Sequence, residues 1–335
     1  VYLLSSVLFA LVLASGAAFA IEYLDDSIRS ATSVQQVLDL STLGAIPRFT
    51  TEKGSQNQKL IMLQNALRPE AEAYRILRTN LFFTSVDHGL RILQVTSPSS
   101  QEGKSLSAAN LSAALAQAGQ RVVLVDGDIR RPTQQKLFKL SNSYGITSAL
   151  LGHSDSLDQV LQSTSLPNLR VLTSGPLPPN PAELVGSNRM RQLLQSLCDE
   201  ADIVVIDSPP TTLVSDATII ASYVDGVLLV LMAGQSRKSD AKKCVGALEQ
   251  VDARLLGVLL NGVPYADSGY YYNYGKQYGY SYGHIGINGK NSHADVALRQ
   301  SGKQGHAINI LTMRARASNR KPDIQPVSSS ASASE

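Results

Sequence analysis

Residues 91–131 constrain this chain more than any other stretch. An apolar strand (92–95) runs into the turn Ser97-Pro98-Ser99-Ser100-Gln101-Glu102-Gly103-Lys104-Ser105. A helix of small residues follows, then a second apolar strand that ends Val125-Asp126-Gly127-Asp128-Ile129-Arg130. Strand, loop with Gly-Lys-Ser, and helix make the layout of a phosphate-binding P-loop. The backbone N–H groups of such a loop, the positive end of the next helix and one lysine all converge on the same oxygens. The stretch therefore predicts nucleoside triphosphate binding through Ser100, Gln101, Glu102, Gly103, Lys104, Ser105 and Leu106.

From residue 90 onward, apolar runs at 92–95, 122–125, 169–172, 203–206, 226–231 and 255–260 alternate with helical patterns at 105–118, 182–198, 215–223 and 238–251. Continuous Val, Ile and Leu runs, rather than period-two alternation, mark strands covered on both faces. This predicts an α/β, P-loop NTPase-like, doubly wound, mostly parallel sheet with helices on both faces. Ligands of such sheets gather at the carboxyl ends of the strands. Those ends deliver Lys104 and Ser105, then Asp126 and Asp128, then Asp207-Ser-Pro-Pro. Lys104 would neutralise phosphate oxygens, and Ser105 with Asp207 would hold Mg²⁺. A carboxylate of Asp126 or Asp128 would orient or deprotonate the attacking group. Catalytic work thus falls on Lys104, Asp126 and Asp128, with ATP and Mg²⁺ as cofactors. The loop departs from the G-x-x-x-x-G-K-S template in having Pro98 where glycine is expected; a glutamine at 101 would cost on the order of 1 kcal/mol if that position needs positive φ.

Outside this region, residues 1–21 carry no charged side chain and are long enough as a helix to span a bilayer. A secretory signal and a buried core helix are the competing readings. The segment 22–68 reads as juxtamembrane and linker: Ser33 is the expected cap of a short helix at 34–40, 43–47 is extended, and 50–58 is a polar connector. Pro69 opens a helix through about residue 81 on which Glu72, Arg75 and Arg78 share a face. Spacing alone favours intrahelical ion pairs over a subunit interface.

The two cysteines, Cys198 and Cys244, lie in apolar segments and read as reduced thiols. The five histidines show no metal-ligand spacing, and no Lys/Arg run marks a nucleic-acid partner. Seven of the 13 tyrosines, Tyr270, Tyr271, Tyr272, Tyr274, Tyr278, Tyr280 and Tyr282, crowd a Gly/Ser/Asn-rich stretch without apolar periodicity, and 283–335 reads as a disordered extension. The expected division is 1–21, 22–68, a P-loop domain at 69–264, a tyrosine-rich tail at 265–282 and the extension.

Taken in order, these pieces resemble the C-terminal part of bacterial tyrosine kinases of the capsular and exopolysaccharide copolymerase type. The resemblance rests on the apolar helix, Glu22-Tyr-Leu-Asp-Asp with Leu43-Gly-Ala-Ile-Pro47, Glu72-x-x-Arg75-x-x-Arg78 and the variant Walker A at 97–105. It continues through Val125-Asp-Gly-Asp-Ile-Arg130, Gly175-Pro-Leu-Pro-Pro-Asn-Pro-Ala-Glu183-Leu, Asp207-Ser-Pro-Pro and the tyrosine tail. It implies Mg²⁺- and ATP-dependent autophosphorylation of the seven tail tyrosines, in trans within a ring-like homo-oligomer that uses Glu72, Arg75 and Arg78, with Asp126 or Asp128 as base for the tyrosine hydroxyl and the other near the metal, which places Asp128 with Ser105 and Asp207 in the metal set. It also implies a bacterial inner-membrane location with the kinase domain in the cytoplasm, and as partners the polysaccharide polymerisation and export machinery, a cognate tyrosine phosphatase and the bilayer. Gln101 and Leu106 stand where the family usually has glycine and Ser or Thr. The alternatives are a nucleotide-binding membrane scaffold that controls chain length with little turnover, and a partition-type ATPase, for which a lysine at 99 is missing.

Overall fold

The computed structural model describes residues 2–48, 60–64, 68–86, 89–153 and 156–264; side chains at 4, 8 and 17–24 are outside the described set. The chain divides into two units, 1–281 and 282–335, and every described residue lies in the first. The tyrosine-rich stretch 270–282, the extension 283–335 and the whole connector 50–58 lie outside the described residues.

Eight strands form one sheet: β1 (Thr42–Pro47), β2 (Ile92–Thr96), β3 (Val122–Asp126), β4 (Leu161–Ser163), β5 (Leu169–Leu172), β6 (Ile203–Asp207), β7 (Gly226–Met232) and β8 (Leu255–Val263). Their order is β1-β8-β7-β2-β6-β3-β5-β4, and every pairing is parallel except β4 with β5. Successive strand residues serve opposite layers. Leu124 and Val205 join a core under α3 (Ile61–Gln64), α4 (Pro69–Ser85) and α5 (Lys104–Gln117), while Val125 and Ile206 join one on the other face with α7 (Ile146–Leu151) and α9 (Asn188–Glu200). A third cluster packs β7 and β8 against α2 (Ala31–Leu38) and α11 (Lys238–Glu249). Both faces are covered, which is why the strands read as unbroken apolar runs. Three short helices, α6 (Gln134–Phe138), α8 (Pro181–Val185) and α10 (Asp216–Ala221), lie in the connections.

Several details differ from the sequence reading. The short helix begins at Ala31, and Ser30, not Ser33, is its cap; the two serines form a reciprocal capping box, so Ser33 takes part from the third helical position. The helix pattern at 182–198 is two helices, because Gly186 closes α8 and Ser187 caps α9 afresh by accepting the Met190 N–H at 3.3 Å. The extended residues 43–47 are a full edge strand paired with β8, and the segment before residue 69 thus supplies part of the sheet. The antiparallel edge strand β4, three residues long, was too short to carry a period. Cys198 and Cys244 are free thiols, as expected.

The apolar N-terminus forms α1 (Tyr2–Leu24). Among the described residues no helix is long and apolar enough to cross a membrane, so the span expected at 1–21 is not shown. Two features of α1 itself are on view. Its described large side chains are exposed, Tyr2 by 92% and Leu3 by 83%, and Ser5, Ser6 and Ser15 turn their hydroxyls onto carbonyls of the preceding turn at 2.8–2.9 Å.

Candidate functional site

β2, β6 and β3 are neighbours in the sheet, and β3 and β6 are in register with Asp126 opposite Asp207. Their carboxyl ends bring the P-loop and three aspartates to one place, as the apolar runs predict.

After β2 the loop 97–103 makes two left-handed turns, at Gln101 (φ +67°) and Gly103 (φ +89°). A Cβ on Gly103 would lie 2.1 Å from Asn261 Nδ2; only glycine lets the end of β8 close over the loop. Gln101 does need positive φ, and its side chain costs the loop about 1–2 kcal/mol. Glu102, 1% exposed, sits under this strained turn. One of its oxygens accepts the Ser99 N–H at 2.7 Å, and the other accepts the Ser236 hydroxyl. Burial pushes the Glu102 carboxyl above the ordinary range, against the lowering effect of the Ser236 and Ser99 hydrogen bonds.

Lys104 opens α5 and donates from Nζ to Asp128 Oδ2 at 2.9 Å, to Asp207 Oδ1 at 3.3 Å and to Ser105 Oγ at 3.2 Å. Burial works against its charge, but Asp207 and Asp128 outweigh burial and raise the amine above the usual lysine range. Asp126 is fully buried: Oδ2 accepts the backbone N–H groups of Thr133 and Gln134 at 2.9 and 2.8 Å, which caps α6, and Oδ1 has no partner. Burial, and then the facing Asp207, push its carboxyl well above the ordinary range. Asp128 is 5% exposed and is further fixed by the Arg131 N–H at 3.1 Å. Of the two carboxylates open to the role of base, Asp128 is therefore the one at the rim.

Sequence reasoning missed Gln134, which donates from Nε2 to Asp207 Oδ2 at 2.9 Å and to the Ser105 carbonyl at 3.0 Å. It lies after a loop, not a strand, and nothing in its surroundings marks it. Arg130 was read as part of the strand-end motif; its partner Asp216 was not seen. The two pair bidentately at 2.7 and 3.0 Å, tying the β3–α6 loop to α10. Glu72, Arg75 and Arg78 lie apart from the site on α4. Arg75 pairs with Glu72 at 2.8 Å, and Arg78 donates to the Ala114 carbonyl at 3.1 Å.

The donor set suits a magnesium nucleotide. Asp126 Oδ1 and Gln134 Oε1 are buried acceptors without a protein donor, and three carboxylates face a single ammonium. Among the described residues no group of three or more His, Cys, Asp and Glu is arranged as a metal cage. Mg²⁺ asks for none, since one or two carboxylates with substrate phosphates and water suffice.

Residues 90–269 match the ParA family model, described as NUBPL iron-transfer P-loop NTPase. The tyrosine-protein kinase YwqD of Bacillus subtilis (strain 168) is 41% identical over 223 residues, covering 65% of this chain and 94% of YwqD. The chain belongs to the bacterial tyrosine-protein kinase family. Solved structures agree with this. The kinase domain of the Escherichia coli tyrosine kinase ETK superposes with a TM-score of 0.64 at 32% identity, covering 70% of this kinase and 93% of that chain. The chimerical protein CapA2B2 gives 0.65 at 36% identity, covering 70% and 100%.

Proposed function

We propose that this kinase transfers the γ-phosphoryl group of ATP to tyrosines of its own tail, Tyr270, Tyr271, Tyr272, Tyr274, Tyr278, Tyr280 and Tyr282, on a neighbouring subunit. The observation that carries the reading is Lys104 Nζ seated between Asp128 and Asp207 at 2.9 and 3.3 Å. In the reaction Lys104 would turn to the phosphates, with the loop N–H groups of 100–106 around them. Ser105 and Asp207, with Asp128 beside them, would hold Mg²⁺, which neutralises charge on the phosphates. Asp128 would take the proton of the tyrosine hydroxyl, and buried Asp126 would keep α6 and Gln134 in place behind Asp207. Incubation of the full chain with Mg-ATP should give tail phosphotyrosine that is lost in Lys104→Met; equal label in both would sink the assignment.

The larger setting is proposed on the same footing. α1 would anchor the kinase in the inner membrane, supported by its 23 residues, its exposed apolar side chains and its internally bonded serines. The kinase domain would face the cytoplasm, where ATP is. Glu72, with Arg75 and Arg78, would join subunits into a ring. Control of capsular or exopolysaccharide polymerisation and export, and reversal by a tyrosine phosphatase, follow from the kinship. A second reading, a nucleotide-binding scaffold with little turnover, is favoured by the strained Gln101 alone; nucleotide binding without phosphotyrosine would select it.

A further inference from the structure

The glutamate of the phosphate loop turns its side chain away from the site. Glu102 is buried, and its two oxygens take one backbone N–H from within the loop, that of Ser99, and one hydroxyl from outside it, that of Ser236. Ser236 lies between β7 and α11, and its hydroxyl also accepts the Met232 N–H at 2.7 Å. A single side chain thus closes the turn that forces Gln101 to positive φ and fastens that turn to the next strand of the sheet.

The anchor is itself fastened. The Ile28 N–H donates to the Ser236 carbonyl at 2.8 Å, and the Gly234 N–H donates to the Ile28 carbonyl at 2.8 Å. Lys238 N–H donates to the Asp26 carbonyl at 2.8 Å and Ser239 N–H to Asp26 Oδ2 at 3.3 Å. α11 has no side-chain cap from its own N-cap residue, Arg237; the segment 26–28 fills that place from far away in the sequence. Ile28 is fully buried beneath it.

We propose that Glu102 is a positioning residue for the phosphate loop, and that the Ser236 hydroxyl is the group through which the 232–239 turn and the docked segment 26–28 hold it in the nucleotide-binding shape. Glu102 touches no reacting atom in this scheme. Its carboxylate acts through the Ser99 N–H and so on the direction of the N–H groups that follow. Without it, Gln101 relaxes towards negative φ and the loop amides cease to converge. The proposal rests on the nucleotide-binding reading of this same loop.

The test uses the full chain in detergent and a fluorescent ADP analogue with Mg²⁺, together with autophosphorylation at varied ATP. Glu102→Ala and Ser236→Ala should each weaken analogue binding about tenfold, with the change falling on the KM for ATP more than on kcat. The double variant should be no weaker than Glu102→Ala. Glu102→Gln, whose amide oxygen can still accept the Ser99 N–H and whose NH₂ can face the Ser236 oxygen, should recover most of the binding and shows whether the alanine variant merely fails to fold. Parent-like binding by Glu102→Ala, additive losses in the double variant, or a fall in kcat at unchanged KM would each overturn the proposal. Failure of the parent itself to bind the analogue would instead overturn the nucleotide reading.

Discussion

Gln101 sits at φ +67°, where a side chain crowds the following carbonyl oxygen, and the loop retains that shape because neighbours hold it from both sides. Gln101→Gly removes the crowding but adds freedom to the unfolded chain, so the net gain should be about 0.5–1 kcal/mol. That is a rise in Tm of about 1–4 °C, read by thermal unfolding; a fall would show that the glutamine side chain makes a favourable contact. Gly103→Ala should do the reverse, since its Cβ would meet Asn261 Nδ2 at 2.1 Å in a backbone that already favours glycine. Loss of nucleotide binding and about 1–3 kcal/mol of stability is expected, measured by analogue titration and denaturant unfolding. Glu102 gives a pH signature of known sign. Burial, with Asp240 of α11 adding to it, raises its folded pKa above the unfolded value, while the Ser236 and Ser99 hydrogen bonds pull the other way. The folded state therefore binds the extra proton, and the contribution is present below the unfolded pKa and is lost as pH rises through the folded one. The Tm of the parent relative to Glu102→Gln should fall as pH is raised through that window, and a difference independent of pH would refute it.

At the scale of elements, the loops after the strands are held as firmly as the strands. Asp216 in the first turn of α10 is wholly buried and depends on Arg130, which is 37% exposed at its side chain. Truncating Arg130 leaves a buried carboxylate without its partner. Discounted for the solvent that reaches the guanidinium, Arg130→Ala should cost about 1–3 kcal/mol in denaturant unfolding, and Arg130→Lys should recover only part, because an ammonium cannot bond both oxygens in the same plane. The helix pattern at 182–198 illustrates what an element-level reading leaves open. The apolar period there is right for α9, and only the new cap at Ser187 shows that the chain restarts its helix. α2 is a similar case, since Ser30 and Ser33 are both capping residues and the register of the first turn chooses between them.

At the scale of the molecule, β1 joins the sheet beyond β8, and residues 26–28 fasten to the turn before α11, so these two stretches ahead of the P-loop domain are part of the fold. α4 then carries Glu72 on its exposed face, with Arg75 half-buried beside it. If these residues join subunits, the double variant Glu72→Ala/Arg75→Ala should lower the mass of the full chain by light scattering in detergent, and raised salt should do the same to the parent. Unchanged mass in both experiments would leave the pair as an intrahelical contact worth a few tenths of a kcal/mol.

The sequence by itself determined the six inner strands β2, β3, β5, β6, β7 and β8, because strands covered on both faces must be apolar throughout, and it singled out the Lys104, Ser105, Asp126, Asp128 and Asp207 set, because ligand-binding residues of such a sheet stand immediately after its strands. Only the tertiary structure decided how those groups are shared. It set Asp126 against Asp207 by strand register and spent one oxygen of Asp126 on α6, so that Asp128 holds the rim. Ser236 came to Glu102 across 134 positions of sequence, and Gln134 to Asp207 across 73. No local pattern records such partners, since hydrogen bonds of that range depend on which strands lie side by side, and the order of strands is fixed by packing of the whole sheet rather than by the residues of any one.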